Sequence, residues 1–169
     1  MRAWILACLA ACALASCTKA RTQVMIGLAT DLRAQGELDE VVLTAWRLDD
    51  SGKKVEPPVV IQSWELSAQL DLKYELPGSI GLYSPDGSEP RTQVLVEGRR
   101  NGALIVTRDA IFSLVREETL FVRLTLVSQC MGPSGCSGDA VCVEGQCLPR
   151  LLDSRRFPKF EVTQVDTLD

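Results

Sequence analysis

Residues 92–110, TQVLVEGRRNGALIVTRDA, carry the clearest local fold signal of the chain. Asn101-Gly102 separates two runs that are rich in β-branched and other apolar residues. A two-residue turn of type I′ needs a positive φ at both central positions, which Asn and Gly tolerate best. The sequence therefore predicts a β-hairpin with strands over 92–100 and 103–110, and favours a strand-built fold.

The segments on both sides of this hairpin also alternate with a period of two. Val24, Ile26 and Leu28 share one face, and the apolar positions of 120–126 share another. The stretch 41–48 (VVLTAWRL) is β-branched and aromatic. Turn residues separate these runs at 49–52, 57–58, 77–78 and 85–87. About seven strands with frequent turns predict an all-β domain, an antiparallel β-sandwich of immunoglobulin-like or transthyretin-like type.

Three features of this region leave alternatives open. The segment 67–74 (SAQLDLKY) has a helical leaning and fits a strand equally well. Trp46 and Trp64 are expected in the core because burial accounts for most large aromatics, and a ligand-stacking role is the alternative. The acidic residues between the first two strands are interpreted as a solvated loop rather than a catalytic carboxylate pair: Asp31, Glu37, Asp39 and Glu40.

The first residues have the organisation of a secretory signal peptide. Arg2 supplies a positive charge, residues 3–13 (AWILACLAACA) form an apolar run, and small residues come next. The run is too short to cross a bilayer, which needs about 20 residues. The leader therefore predicts export of the chain.

Leu14-Ala15-Ser16-Cys17 resembles the lipobox of bacterial lipoproteins. The resemblance covers only the leader. It implies that the Cys17 thiol receives a diacylglyceryl group, that the leader is cut before Cys17, and that the new amine is acylated. Leu9-Ala10-Ala11-Cys12 also fits loosely but would leave a shorter apolar region. The alternative to a lipoprotein is a plain secreted protein with an ordinary small-residue cleavage site.

The same resemblance implies a protein held on a membrane by its N-terminal lipid. Because Thr18 is not the Asp that commonly signals inner-membrane retention in this family, the outer membrane of a Gram-negative bacterium is expected. The expected organisation is a signal peptide (1–16), a lipidated Cys and tether (17–21), a β-sandwich domain (22–129), a disulfide knot (130–147) and a C-terminal tail (148–169).

The knot is predicted from four closely spaced cysteines: Cys130, Cys136, Cys142 and Cys147. A dense, even set with Gly-rich filling in an exported chain indicates disulfides, and three pairings are open. A zinc site with four thiolates is the alternative. Only the last of the three gaps falls in the range that such sites use, so no metal is expected.

Residues 138–147 (GDAVCVEGQC) resemble part of an EGF-like module. The resemblance covers fewer than twenty residues. It implies the pairs Cys130–Cys142 and Cys136–Cys147.

The composition excludes much chemistry. The 169 residues contain no histidine, which removes Ser-His-Asp and Cys-His systems together. No nucleotide-binding or nucleophile-elbow motif is present, and we assign no catalytic residue and no cofactor. The formal net charge of −4 without a large basic cluster argues against nucleic acid.

The sequence thus favours a protein that is not an enzyme: a cell-envelope lipoprotein that presents a β-sandwich for binding or structural interaction. Its expected partner is another envelope protein or a surface polysaccharide. The alternative is a small carbohydrate-binding module or a carboxylate-based carbohydrate-active enzyme that uses Trp46 or Trp64.

Overall fold

The computed structural model describes residues 21–34, 36–66, 76, 78–132 and 135–166. The expected signal peptide, Cys17, the whole segment 67–74 and Pro77 of the turn at 77–78 therefore lie outside the described residues. The described elements are nine strands, two 3-10 turns (Ser128–Cys130 and Ser154–Arg156) and one helical turn, α1 (Thr163–Asp166). The strands are β1 (Gln23–Thr30), β2 (Glu40–Arg47), β3 (Val60–Glu65), β4 (Gly78–Tyr83), β5 (Arg91–Arg100), β6 (Ala103–Ser113), β7 (Thr119–Leu126), β8 (Ala140–Val143) and β9 (Gln146–Pro149).

The first seven strands form two sheets. One has the order β4-β1-β7 and the other β3-β2-β5-β6, while β8 and β9 make a separate hairpin. The predicted all-β sandwich with a disulfide-rich C-terminal segment is confirmed. Among the nine described strands, every strand pair is antiparallel except β1 with β7, which is parallel.

The distribution of strands distinguishes the two predicted sandwich types. In a constant-type immunoglobulin domain the first two strands share a sheet. Here β1 and β2 lie in different sheets. The partition therefore departs from the immunoglobulin arrangement and leaves the transthyretin-like alternative.

The core lies between the two sheets and follows the alternation of the sequence. Val24, Ile26 and Leu28 of β1 are buried, as are the four even-numbered apolar residues of β7. They face Val41 and Leu43 of β2 and residues of β5 and β6 in one hydrophobic cluster. Burying an aliphatic side chain of this kind contributes about 1.5–3 kcal/mol, so this cluster is the main stabilising feature of the fold.

The predicted hairpin at Asn101-Gly102 is confirmed. Both residues have positive φ, 51° and 75°, and β5 pairs antiparallel with β6 around them. The register shifts at Gly98/Arg99. Gly98 faces the core there, and a Cβ at this position would come within 2.6 Å of Val106 Cγ1.

The C-terminal tail is hydrogen-bonded to both sheets. The Ile111 N–H donates to the Arg150 carbonyl at 2.7 Å, along the free edge of β6. The Phe121 N–H donates to the Pro158 carbonyl at 2.9 Å, along the free edge of β7. Phe157 packs edge-on against Phe112 of the core, with ring centroids 5.7 Å apart. The tail thus contacts the edge strand of each sheet, β6 and β7.

Candidate functional site

The disulfide-bonded hairpin is attached to the core of the sandwich. Cys130 bonds to Cys142 and Cys136 to Cys147, the pairing that the EGF-like resemblance implied. Cys130 is buried and belongs to the main hydrophobic cluster, and Cys142 packs against it. The first bond therefore fixes β8 to the sandwich, while the second joins the segment before β8 to β9. All four sulfurs are thus bonded in pairs as disulfides, the first of the two alternatives that the spacing left open.

A buried arginine lies beneath this hairpin. Arg108 occupies a core-facing position of β6, between Val106 and Ala110, and is only 5% exposed. Its Nη1 donates to the Asp109 carbonyl at 2.8 Å. Burial lowers the pKa of Arg108, whereas the charges of Asp109 and Glu144 raise it. Arginine remains protonated under such conditions, so a positive charge is held between the sandwich and the β8–β9 turn. The inward position of Arg108 follows from the alternation of buried and exposed residues along β6. This alternation is the signal in the sequence that could have predicted the buried arginine.

Arg150 connects the hairpin to the outer face of the four-stranded sheet. Its Nη2 lies 2.6 Å from Asp139 Oδ1, and its Nη1 lies 3.5 Å from Asp109 Oδ2. The Gln93 amide donates to both oxygens of Asp109, at 2.9 and 2.8 Å. Asp109 is thus held by β5 and by the tail together. Its carboxylate is committed to structural contacts rather than directed at a cleft.

The acidic residues of the β1–β2 loop do not form one site. Each accepts hydrogen bonds from a different part of the chain, so the solvated-loop interpretation needs refinement: these carboxylates tie the loop to its surroundings. The Arg33 N–H and guanidinium also lower the pKa of Glu37. The pairs are Asp31 with Ser128, Glu37 with Arg33, Asp39 with Asn101, and Glu40 with Ser63.

The two tryptophans differ in position. Trp64 is partly buried and packs against the main cluster, as expected. The expectation that Trp46 lies in the core is wrong: Val41, Leu43 and Ala45 occupy the inward positions of β2, so Trp46 lies on the outer face of the sheet. The Lys54 ammonium lies 3.6 Å from the centre of the Trp46 ring. One face of this ring is therefore already covered by a cation, and Trp46 Nε1 is buried without a hydrogen-bond partner.

The other side of the sandwich, where β3 and β4 end their sheets, has no neighbouring strand among the described residues. A groove of about 230 Å³ runs between these two strands. Two of its lining residues, Val59 and Tyr83, are exposed apolar side chains, 51% and 65% exposed, and Ile61 is 67% exposed on the outer face of β3. We call this region the open side; its exposed apolar residues are Val59, Ile61 and, at the end where the groove meets a second cleft, Tyr83.

A wider cleft of about 670 Å³ adjoins this groove where the described chain begins. Thr22 is only 3% exposed and is held firmly. Its carbonyl accepts from the Ser84 N–H at 2.9 Å, and its hydroxyl accepts from the Glu117 N–H at 3.0 Å. The residues that line the cleft are Arg21, Thr22, Tyr83, Ser84, Pro85, Asp86, Gly87, Ser88, Arg116 and Glu117.

The predicted turn at 85–87 forms the outer wall of this cleft. Asp86 Oδ1 accepts from the Ser84 hydroxyl at 2.6 Å, the Ser88 hydroxyl at 2.7 Å and the Ser88 N–H at 3.0 Å. These donors hold the pKa of Asp86 far below its usual range. Asp49 has a similar arrangement with Ser51 and Lys53, which also lowers its pKa. Both carboxylates are therefore fixed parts of turns, and the surrounding donors favour their ionised form.

The described part of the chain contains no group of three Cys, Asp or Glu side chains placed to hold a metal ion. Within the same residues no helix has the length and apolar character needed to cross a bilayer. The polar side chains described above mainly form hydrogen bonds that fix loops, and the open side presents exposed apolar residues.

Comparisons with known proteins identify no family. No family model matches the sequence, and no curated protein matches it. Among solved structures, the chain is similar to an alternative pilotin from the type II secretion system of Vibrio cholerae. The two are 20% identical, the match covers 62% of this chain and 94% of that chain, and the TM-score is 0.40. A likeness this loose carries no argument about what the present chain does.

Proposed function

We propose that this protein is a non-enzymatic lipoprotein of the cell envelope, anchored by acyl chains on Cys17, that presents the open side of its β-sandwich to a partner. The observation that carries the proposal is Leu14-Ala15-Ser16-Cys17 at the end of a signal-like leader. Only five residues separate Cys17 from β1, which begins at Gln23. Two or more acyl chains hold such a domain on a bilayer stably, since each buried methylene contributes about 0.8 kcal/mol.

Incorporation of radiolabelled palmitate tests the anchor. Wild-type protein is expected to be labelled, and Cys17→Ala is expected to lose the label. Cys12→Ala is the matched control because Cys12 ends the second lipobox-like stretch. Loss of label in Cys12→Ala with retention in Cys17→Ala would move the anchor, and unlabelled wild-type protein would end the lipoprotein proposal.

The open side favours another envelope protein over a polysaccharide as the partner. Among the described strands, β3 ends its sheet with β2 as its one neighbour, and its apolar Ile61 is 67% exposed. An extended segment of another protein can pair with such an edge and bury the apolar side chains. The chain's own tail pairs in this manner with β6 and β7.

Site-specific photo-crosslinking in intact cells tests the partner. A photoreactive residue at Ile61 is expected to yield discrete protein adducts. The matched control is Thr107, which is also exposed but lies on β6, a strand whose free edge the tail contacts. Equal adduct patterns from both positions, or none from Ile61, would argue against the open side as the binding surface.

The proposal that the protein is not an enzyme is supported by the complete absence of histidine from the sequence. Within the described part of the chain, the carboxyl groups with a shifted pKa are Glu37, Asp49 and Asp86, and local donors lower the pKa of each. A carboxyl general acid needs a raised pKa. The carbohydrate alternative requires an accessible aromatic platform. Trp64 packs on the core and one face of the Trp46 ring is covered by Lys54, so neither favours it.

A further inference from the structure

We propose that the end of the sandwich around Thr22 and Tyr83 is a bilayer-contact surface that fits zwitterionic phospholipid headgroups. This inference rests on the proposed anchor at Cys17. The surface consists of the cleft of about 670 Å³ together with the exposed Tyr83 ring at its rim.

The chain enters the domain at a fixed position. Thr22 is fixed by the turns at 84–88 and 115–118, and the Gln23 N–H donates to the Glu118 carbonyl at 3.0 Å. These bonds fix the point at which the chain enters the domain. The connection to Cys17 therefore starts at this end of the sandwich.

The segment between Cys17 and the domain is short. Five Cα steps lead from Thr22 back to Cys17, and a fully extended chain spans at most about 3.6 Å per residue, so the two lie within about 18 Å. The opposite end of the sandwich, at the Asn101-Gly102 turn, is separated from this end by the ten residues of β5. At about 3.4 Å per residue that strand spans roughly 34 Å. The end with Thr22 is thus the membrane-proximal end.

The cleft is lined by charges of both signs. Arg21 and Arg116 supply two positive charges, and Asp86 and Glu117 supply two negative charges. A phosphate group pairs well with guanidinium, and the positively charged headgroup nitrogen of a zwitterionic lipid is attracted to a carboxylate. Tyr83 adds an amphipathic ring of the kind enriched at membrane interfaces. The net charge of these groups is zero, so the surface matches headgroups that are themselves neutral.

Fluorescence quenching in vesicles tests this orientation. The lipidated full-length protein is reconstituted into phosphatidylcholine vesicles that carry bromine near the headgroup end of the acyl chains. Tyr83→Trp is compared with Leu104→Trp, a matched position that is 54% exposed and lies just after the Asn101-Gly102 turn at the far end. Trp46 and Trp64 are common to both variants, so the difference between them reports the added residue.

The expected result is that the added emission at position 83 is quenched at least about twofold, because an interfacial ring lies within the headgroup layer. The emission added at position 104 is expected to remain unquenched. Equal quenching at the two positions, or none at position 83 in protein that floats with the vesicles, would overturn the surface while leaving the anchor intact. Protein that fails to float would overturn the anchor itself.

A charge reversal tests the headgroup contact. Arg116→Glu in the Tyr83→Trp background gives the cleft a net charge of −2 and is expected to reduce the quenching at position 83. Arg100→Glu makes the same change at the far end and is expected to have no effect. Equal quenching in the two variants would show that the surface does not recognise headgroups.

Discussion

The Asp31 carboxylate accepts two hydrogen bonds from Ser128, which lies 97 residues further along the chain. The Ser128 N–H donates to Asp31 Oδ1 at 2.7 Å, and its hydroxyl donates to Oδ2 at 2.8 Å. Asp31 directly follows β1, and Ser128 begins the 3-10 turn after β7. The pair thus closes the only parallel strand pair among the described residues and directs the chain toward Cys130.

Removal of this contact is expected to loosen the junction between the sandwich and the hairpin. Asp31→Ala should lower the free energy of unfolding by about 1 kcal/mol, since both bonds involve an ionised acceptor at an exposed site. Denaturant unfolding measures the change. In a double-mutant cycle with Ser128→Ala, the two effects should not add; strict additivity would contradict a direct interaction.

Gly98→Ala is expected to destabilise the fold by about 1–3 kcal/mol, because the new methyl would overpack a filled core. Its Cβ would lie 2.6 Å from Val106 Cγ1 and 2.8 Å from Leu38 Cδ1. Thermal unfolding compares this variant with Gly36→Ala, whose Cβ meets only Arg33 atoms, at 3.9 Å and beyond. Similar melting temperatures for both variants would argue against the tight packing of β5 on β6.

The buried charge of Arg108 should matter less than its volume. Arg108→Ala is expected to lower the free energy of unfolding by about 2 kcal/mol through lost packing. Arg108→Met fills the same space without a desolvated charge and is expected to cost less than about 1 kcal/mol. Denaturant unfolding of both variants decides the point. A methionine variant as unstable as the alanine variant would show that the charge itself is required.

The two disulfides should differ in their effect on stability. Their sequence separations, 12 and 11, are nearly equal, so the loop-entropy contribution is about 3 kcal/mol for each. Loss of Cys130–Cys142 also disturbs the core, because Cys130 is buried there. The Cys130→Ala/Cys142→Ala variant should therefore melt at a lower temperature than Cys136→Ala/Cys147→Ala. The reverse order would contradict the attachment of the hairpin through Cys130.

Asp86 should remain ionised in acid. Its pKa in the folded protein is lowered by the Ser84 and Ser88 hydroxyls, so its contribution to stability is present above the unfolded value of about 3.9. That contribution is lost as the pH falls through the lowered value. Carboxyl NMR titration is expected to show this, and Ser84→Ala with Ser88→Ala should raise the pKa toward its usual range. An unchanged titration in the double variant would contradict the assigned cause.

The features that could be predicted from sequence depend on local signals. The hairpin at Asn101-Gly102 and the inward faces of β1 and β7 follow from turn chemistry and alternation. The inward face of β2 could not be chosen this way, because residues 41–48 are apolar on both faces and Trp46 lies on the outer one. Alternation shows that a strand is half-buried only when the two faces differ.

Long-range pairings had no such signal. The parallel contact of β1 with β7 joins residues about a hundred positions apart, and its register depends on the whole sandwich. The contacts of the tail with Ile111 and Phe121 had no local signal either, because they form only when β6 and β7 already present free edges. The cleft at Thr22 likewise combines residues from separate turns.

The coverage of β6 and β7 by the tail has a consequence for self-association. A sandwich with free strand edges on two opposite sides can pair edge to edge with one molecule on each side. Such contacts do not close, so they can add molecules without limit and form fibrous aggregates. In this molecule the bonds to Arg150 and Pro158 cap one of those sides. Each molecule can then pair with another molecule through the β3 and β4 side only. Association through strand pairing therefore stops at a dimer.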